Sequence, residues 1–357
     1  MERTLVIDRR SSTHRGLRVA AAVIIACALA AVGAAAQNAD AESHVAAAKA
    51  AAGQEHTELF TSLCSETPTG PGTRGRGTTT AAATATAGTT GAVGQRQDAP
   101  PPPARSEWHA EPMKVFDNLY FVGMKDVSAW AVNTTGGIIV LDALYDYSVD
   151  DEIAEGLRKV GLDPANIKYV VVSHGHGDHS AGAKYLQDRF KAHVVLSSED
   201  WDLLDRGRGP KPTRDQVAAD GQKLTLGDTT ITMYVTPGHT PGTLSYLIPV
   251  KDRGTPHLVA EWGGTAFNFP RTAENFRVYA ASAERFGDIA AKAGADAIIS
   301  NHSAYDGSAQ KLRALAVRGP DDKNPYVIGT DAVVRYMKVA GECAKAHLAW
   351  VTAAKPH

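Results

Sequence analysis

The run Ser173-His174-Gly175-His176-Gly177-Asp178-His179 places three imidazoles and a carboxylate within a few residues of one another. Ring nitrogens and carboxylate oxygens are the ligands that hold zinc at hydrolytic centres. Small glycines between them let a loop turn sharply and present four side chains to one volume. A core reading would need each imidazole to be buried and satisfied separately. Two further histidines stand in turn-rich segments. His239 lies in Thr236-Pro237-Gly238-His239-Thr240-Pro241-Gly242, and His302 closes Ser300-Asn301-His302. Alone, either reads equally well as a surface histidine. Both follow β-prone runs, as the first cluster does, and strand exits are where such side chains gather at one edge.

Taken together, these motifs resemble the metallo-β-lactamase superfamily over about residues 108–348. The resemblance implies an α/β fold, an αββα sandwich with two metals at one edge between the sheets. It implies that His174, His176 and His239 hold one zinc, and that Asp178, His179 and His302 hold the other. Asp142, after a predicted strand, matches the family's aspartate that supports the metal loop. Relatives acting on thioesters, lactones and phosphodiesters usually carry a later aspartate bridging both metals. Here that position falls on Gly263 or Gly264, and Glu261 nearby is not expected to swing in. Without a bridging aspartate or a cysteine ligand, the pattern is most like the third subclass (B3-type) of zinc metallo-β-lactamases. Imidazole rather than carboxylate at His176 favours zinc over iron. Thr265 and Thr243 are expected to hydrogen-bond a substrate carboxylate, as hydroxyls near this edge do in the family.

The implied activity is that of an exported dizinc hydrolase, with Asp178 orienting a zinc-activated water that opens a β-lactam amide. The alternative is a dizinc hydrolase of another ester, lactone, thioester or amide. Neither G-x-S-x-G nor S-x-x-K occurs, so a serine hydrolase is disfavoured. The expected partner is a small-molecule substrate. With 37 Lys and Arg against 39 Asp and Glu, the chain lacks the positive excess that nucleic acid demands.

Residues 1–36 read as a signal peptide: Arg9, Arg10, Arg15 and Arg18, an Ala-rich apolar stretch, then Ala34-Ala35-Ala36. The expected location is periplasmic or secreted, free of the membrane after cleavage. An uncleaved anchor is the alternative, and a lipoprotein site at Cys27 or a twin-arginine signal fits less well. Cleavage would leave Cys64 and Cys343, which in an oxidising compartment are expected to form a disulfide. Residues 37–64 are expected to be a helical extension, divided at Gly53. Residues 65–107, rich in Thr, Ala, Gly and Pro, read as a linker with too little apolar surface to fold. The catalytic domain is expected over 108–357.

Within that domain, β-prone runs predict strands at 115–122, 127–133, 137–142, 169–173, 193–196, 222–226, 229–235, 243–248, 258–261 and 297–300. Helical spacing predicts helices at 150–160, 181–190, 273–293, 308–317 and 331–348. Residues 201–216 read as a basic, mobile loop beside the site. Trp262 reads as core rather than pocket.

Overall fold

The computed structural model describes residues 39–65, 101–207, 209 and 211–353. The expected signal segment, including Cys27, and most of the expected linker lie outside them. Two twisted sheets form the centre. The first has the order β1 (Met113–Lys114), β2 (Leu119–Phe121), β3 (Trp130–Thr134), β4 (Gly137–Leu141), β5 (Ile167–Val171), β6 (His193–Ser197) and β7 (Gln216–Ala218). β1 to β4 pair antiparallel and β4 to β7 parallel. The second runs β12 (Ala297–Ser300), β11 (Thr255–Trp262), β10 (Leu244–Asp252), β9 (Thr229–Val235) and β8 (Gln222–Leu226). There only β11 and β12 are parallel.

The helices are α1 (39–52), α2 (Thr57–Leu63), α3 (Arg105–Trp108), α4 (Glu155–Lys159), α5 (Gly177–Ser180) and α6 (Ala183–Phe190). They continue with α7 (Ser198–Arg206), α8 (Ala273–Ala293), α9 (Ser303–Asp306), α10 (Ser308–Ala316) and α11 (Thr330–Ala353). Strand periodicity explains the layers. Trp130, Val132, Ile139 and Leu141 face the second sheet, where they meet Tyr246, Ile248 and Val259. Their neighbours Ala131, Ile138 and Val140 face outward and pack with Leu157 and Leu186 of α4 and α6. On the far side, Leu247, Ala260 and Ile298 meet Phe286 of α8 and Met337 of α11. Helices thus cover both outer faces, and the αββα sandwich is the observed fold.

Several boundaries differ from the sequence expectations for local reasons. The run 115–122 is not one strand, because a turn at 116–118 folds β1 back on β2. The helix expected over 150–160 opens as a π-helical turn, Asp150–Ala154, before α4. The expected loop 201–216 begins inside α7, whose N-cap Ser197 accepts from Asp200 N. Trp201 of that helix is fully buried and donates to Gln216 O at 2.8 Å. α3 begins inside the segment expected to be linker and ends at Trp108, where the catalytic domain is expected to start.

The extension forms the expected helix pair. Gly53, at φ 54°, takes the left-handed turn between α1 and α2. Cys64, just past α2, and Cys343 of α11 are joined, with Cα atoms 4.7 Å apart. His56 donates to Ala332 O at 2.7 Å, and His347 donates through Nε2 to Leu63 O at 2.8 Å. Among the described residues, no helix is long and apolar enough to cross a membrane.

His347 also accepts from Arg271 at 2.7 Å and stacks on Phe276. Both ring nitrogens are therefore committed in the neutral form. Burial pulls its pKa down to about 4, and the charge of Arg271 adds to the effect. An unfolded histidine titrates near about 6.5, so between these values the unfolded chain binds a proton that the folded chain refuses. Stability should therefore fall as pH drops from 6.5 toward 4, by up to about 3 kcal/mol from this group. Thermal melts of the wild type and His347→Gln across that range check it; the glutamine variant should show the shallower dependence.

Candidate metal centre

Every candidate ligand stands at a strand exit on one edge of the sandwich. The loop after β5 carries His174 to His179, the β9–β10 turn carries His239, and His302 follows β12. The strands place them there because β4, β5, β9, β11 and β12 all end at this edge.

Three imidazole nitrogens converge first. His239 Nε2 lies 2.9 Å from His174 Nε2 and 3.0 Å from His176 Nδ1. His174, His176 and His239 thus present one nitrogen each within 4.8 Å of one another. The opposite nitrogens fix the ring orientations. His174 Nδ1 donates to Gly263 O at 3.0 Å and His239 Nδ1 to Ala266 O at 2.7 Å. With those N–H groups committed outward, the inward nitrogens present lone pairs to one point. Burial lowers the pKa of all three, His239 to about 3, and neighbouring imidazoles add to the effect at His174 and His239. Neutral imidazoles with converging lone pairs are what a divalent cation requires.

A second group adjoins it. His174, Asp178 and His179 also present ligand atoms within 4.8 Å of one another. His179 Nε2 lies 3.2 Å from His302 Nε2 and 3.3 Å from Asp178 Oδ2, which is 3.5 Å from His302 Nε2. His302 Nδ1 donates to Asp126 O at 3.0 Å, and His179 Nδ1 to Asp142 Oδ2 at 2.8 Å. Burial opposes charge on His179, but Asp178 and Asp142 on its two sides overcome it and raise its pKa to about 10. Burial likewise works against Asp178, and the charge of His179 holds it well below the usual carboxylate range. A cation held by this pair would take the place of the His179 proton. The donor chemistry of both groups fits a divalent metal.

Asp142 also accepts from Ser173 N at 2.6 Å and Ser173 Oγ at 2.9 Å. It holds the start of the metal loop and the ring of His179 together. Asp200 is a supporting residue that the sequence reading missed. Its carboxylate accepts from Gly175 N at 2.9 Å, Thr240 Oγ1 at 2.7 Å and Gly242 N at 3.0 Å. It therefore ties the His174 loop to the His239 turn. The capping pattern Ser197-x-x-Asp200 was the available signal, since it places Asp200 in the first turn of a helix.

The structure adds detail to four expectations. Neither Gly175 nor Gly177 uses a positive φ. Gly175 is small because Asp200 O would stand 3.1 Å from a Cβ there. Thr243 is fully buried and its hydroxyl bonds to Thr240 Oγ1 at 2.7 Å. Thr265 is 1% exposed and pairs with Ser300 at 3.1 Å. Both hydroxyls brace site loops. In the basic segment after Arg206, Lys211 donates to Asp205 O at 2.8 Å and so caps α7.

The expected lack of a bridging carboxylate has a steric cause. A Cβ on Gly263 would lie 1.7 Å from Leu244 O, and one on Gly264 would lie 2.6 Å from His239 Cβ. Glu261 is fully buried, opposite Tyr246 across the sheet, and neither of its oxygens finds a protein partner. It lies between the sheets, within electrostatic reach of Asp142 and His179, and burial raises its pKa well above the carboxylate range. Trp262 is core, as expected, donating to Tyr279 Oη at 3.0 Å.

Comparison with known proteins agrees with this geometry. Residues 122–253 match the profile of the Metallo-beta-lactamase superfamily. This part of the chain resembles that superfamily in sequence, and the chain has the metallo-beta-lactamase fold. The fold of this domain is similar to that of BJP-1, a subclass B3 metallo-beta-lactamase of Bradyrhizobium japonicum. The TM-score is 0.56 at 25% identity, over 64% of this chain and 89% of that one. Hydroxyacylglutathione hydrolase of Acidiphilium cryptum is 31% identical over 124 residues, 35% of this chain and 45% of its own length. N-acyl homoserine lactonase AttM of Agrobacterium fabrum is 31% identical over 115 residues, 28% of this chain and 42% of its own. The match thus spans less than half the length of these two relatives. The fold and the His-rich groups together fit a divalent metal at this edge.

Introducing the missing carboxylate should damage the site rather than complete it. Gly264→Asp is expected to displace His239, lower stability by about 1–3 kcal/mol and reduce bound metal. Thermal denaturation with metal analysis of the purified variant checks this; full metal retention at wild-type stability would refute it.

Proposed function

We propose that this protein is an exported dizinc hydrolase that opens the β-lactam amide. The observation that carries the reading is the closed backbone at Gly263 and Gly264, which leaves no room for a bridging carboxylate beside His239. The similarity to a subclass B3 enzyme supports it. His174, His176 and His239 would hold one zinc, and Asp178, His179 and His302 the second. Zinc bound there would polarise a carbonyl and acidify water.

The chain's own groups supply the rest. Asp178, with 24% of its side chain exposed, is the acceptor at the mouth of the site and orients the attacking water. Asp142 fixes His179, and Asp200 fixes the spacing between the two loops that carry the first triad. A proposed Cys64–Cys343 disulfide suits an oxidising compartment after export.

A second reading has its own support, since the curated relatives named above are a thioester-type hydrolase and a lactonase by name. It keeps the same centre with an ester, lactone or thioester as substrate. The deciding assay sets a penicillin, a cephalosporin and a carbapenem against a simple lactone, using zinc-loaded protein with a chelator control. Chelator-sensitive turnover that favours the β-lactams supports the first reading. Turnover of the lactone alone moves the protein to the second.

Asp178→Ala should lower turnover by more than it lowers total metal, because Asp178 positions the nucleophile as well as the metal. Activity and zinc content measured on the same preparation check this. Equal proportional losses would remove the orienting role.

A further inference from the structure

The two flanks of the centre differ in chemistry. Beside Asp178 and His302, a cavity of about 280 Å³ runs between Trp108 of α3 and the ring pair Tyr145 and Tyr147. The tyrosines stack at 5.0 Å with their planes 13° apart, and Trp108 meets Tyr147 edge-on at 5.7 Å. All three rings are half-buried, with surface still open to the cavity. Beside His176 and His239, the opposite cavity of about 440 Å³ is lined by Leu203, Phe269, Pro270 and Val278. Among the described residues, no Asp, Glu, Lys or Arg lines that second cavity.

The ring walls are held firmly and are coupled to the metal loop. Trp108 Nε1 donates to Pro103 O at 3.1 Å, and Trp108 O accepts from Lys125 N at 2.8 Å. The Arg105 guanidinium lies 6.0 Å from its ring centroid. The tyrosine loop starts from two non-glycine residues in the left-handed region, Asp142 at φ 62° and Leu144 at φ 61°. Such backbone costs energy and persists where surrounding structure enforces it, often at functional sites. Here Ala143 N donates to His179 O at 2.7 Å and Gly182 N to Leu144 O at 3.0 Å. The residue that orients His179 and the two rings therefore belong to one strained loop, fastened to the ligand segment.

We propose that this ring-walled slot is the specificity subsite of the centre, and that it takes a flat aromatic group carried near the scissile carbonyl. The neutral groove beside His176 takes the remainder of the substrate. The inference rests on the hydrolase reading and names the substrate class for it. Three rings in stacked and edge-on orientations offer a planar group both preferred aromatic geometries. The slot is at the small end of ligand cavities, the size of a substituent rather than a whole substrate. The slot's charged lining residues are the carboxylates Glu107, Asp126 and Asp178. Glu107 and Asp126 stand at the rim, but Arg105 and Lys125 occupy the same two segments.

Two matched pairs test the slot on zinc-loaded full-length protein. They are benzylpenicillin with 6-aminopenicillanic acid, and phenylacetyl- with acetyl-homoserine lactone. The expected result is a kcat/KM preference of about tenfold for the ring-bearing member of whichever pair turns over. Tyr147→Ala should abolish most of that preference through KM, and Tyr147→Phe should restore it. Saturation-transfer NMR with phenylacetylglycine and acetylglycine reads the slot without turnover. Transfer to the phenyl protons is expected in the wild type and in Tyr147→Phe, and its loss in Tyr147→Ala. Equal kcat/KM within a pair, a preference that survives Tyr147→Ala, or no transfer to the ring would overturn the proposal. If no substrate turns over while the phenyl probe still binds through Tyr147, the hydrolase reading fails and the slot stands.

Discussion

The arrangement depends on one constraint: buried imidazoles must present lone pairs inward, so their other nitrogens must each find an acceptor outside. For His174, His239 and His302 that acceptor is a backbone carbonyl, of Gly263, Ala266 and Asp126 respectively. For His179 it is the Asp142 carboxylate. Each requirement dictates the path of a separate loop. The chain leaving β11 must bring the Gly263 carbonyl to His174, and it packs against Leu244 and His239 so closely that no side chain fits. The absent bridging carboxylate is thus a consequence of how the first triad is oriented, not a separate feature.

The same constraint explains the polar residues that surround the ligands. Asn301, buried just before His302, donates to Gly263 O at 2.7 Å and so shares the carbonyl that orients His174. Asp200 accepts from both ligand-bearing loops, and Thr240 and Thr243 complete that clamp. These groups cost free energy to bury and are retained because each has a defined partner. Among the described residues, Glu261 between the sheets and the Tyr246 hydroxyl on the neighbouring strand are exceptions, with no protein partner.

The extension is anchored on α11. The Cys64–Cys343 link, His56 on Ala332 and His347 on Leu63 hold α1 and α2 against it. α2 also reaches α10 through a contact between Glu58 and Gln310 at 2.6 Å. α10 follows α9, which begins directly after His302, so the extension packs on the elements behind one of the ligands. A segment joined to the domain by a long Thr-, Ala-, Gly- and Pro-rich stretch is in this way part of one structure with it.

Much of this was legible in the sequence. The spacing of His174, His176, Asp178 and His179 announces metal chemistry because few other environments keep so many ligands together. Long periodic elements such as α8 and β9 were also legible, since their burial pattern follows their own period. Short-range signals were read less well: the turn inside 115–122, the capping box of α7 and the reach of Lys211 depend on single side chains. What only the tertiary structure decided were relations between distant segments. Thr243 and Thr265 carry hydroxyls suited to binding substrate, yet packing turned both inward, because neighbouring polar groups there needed partners. The stacked Tyr145 and Tyr147 have no distinguishing pattern in the chain, and the cap pattern before Asp200 does not reveal the two loops it ties together. They acquire meaning only when loops from separate strands converge on one edge. Sequence determined which atoms could bind a metal, since that is a property of side-chain chemistry. Tertiary structure decided their orientation and the shape of the space beside them, since those follow from which backbone carbonyls and rings folding brings within reach.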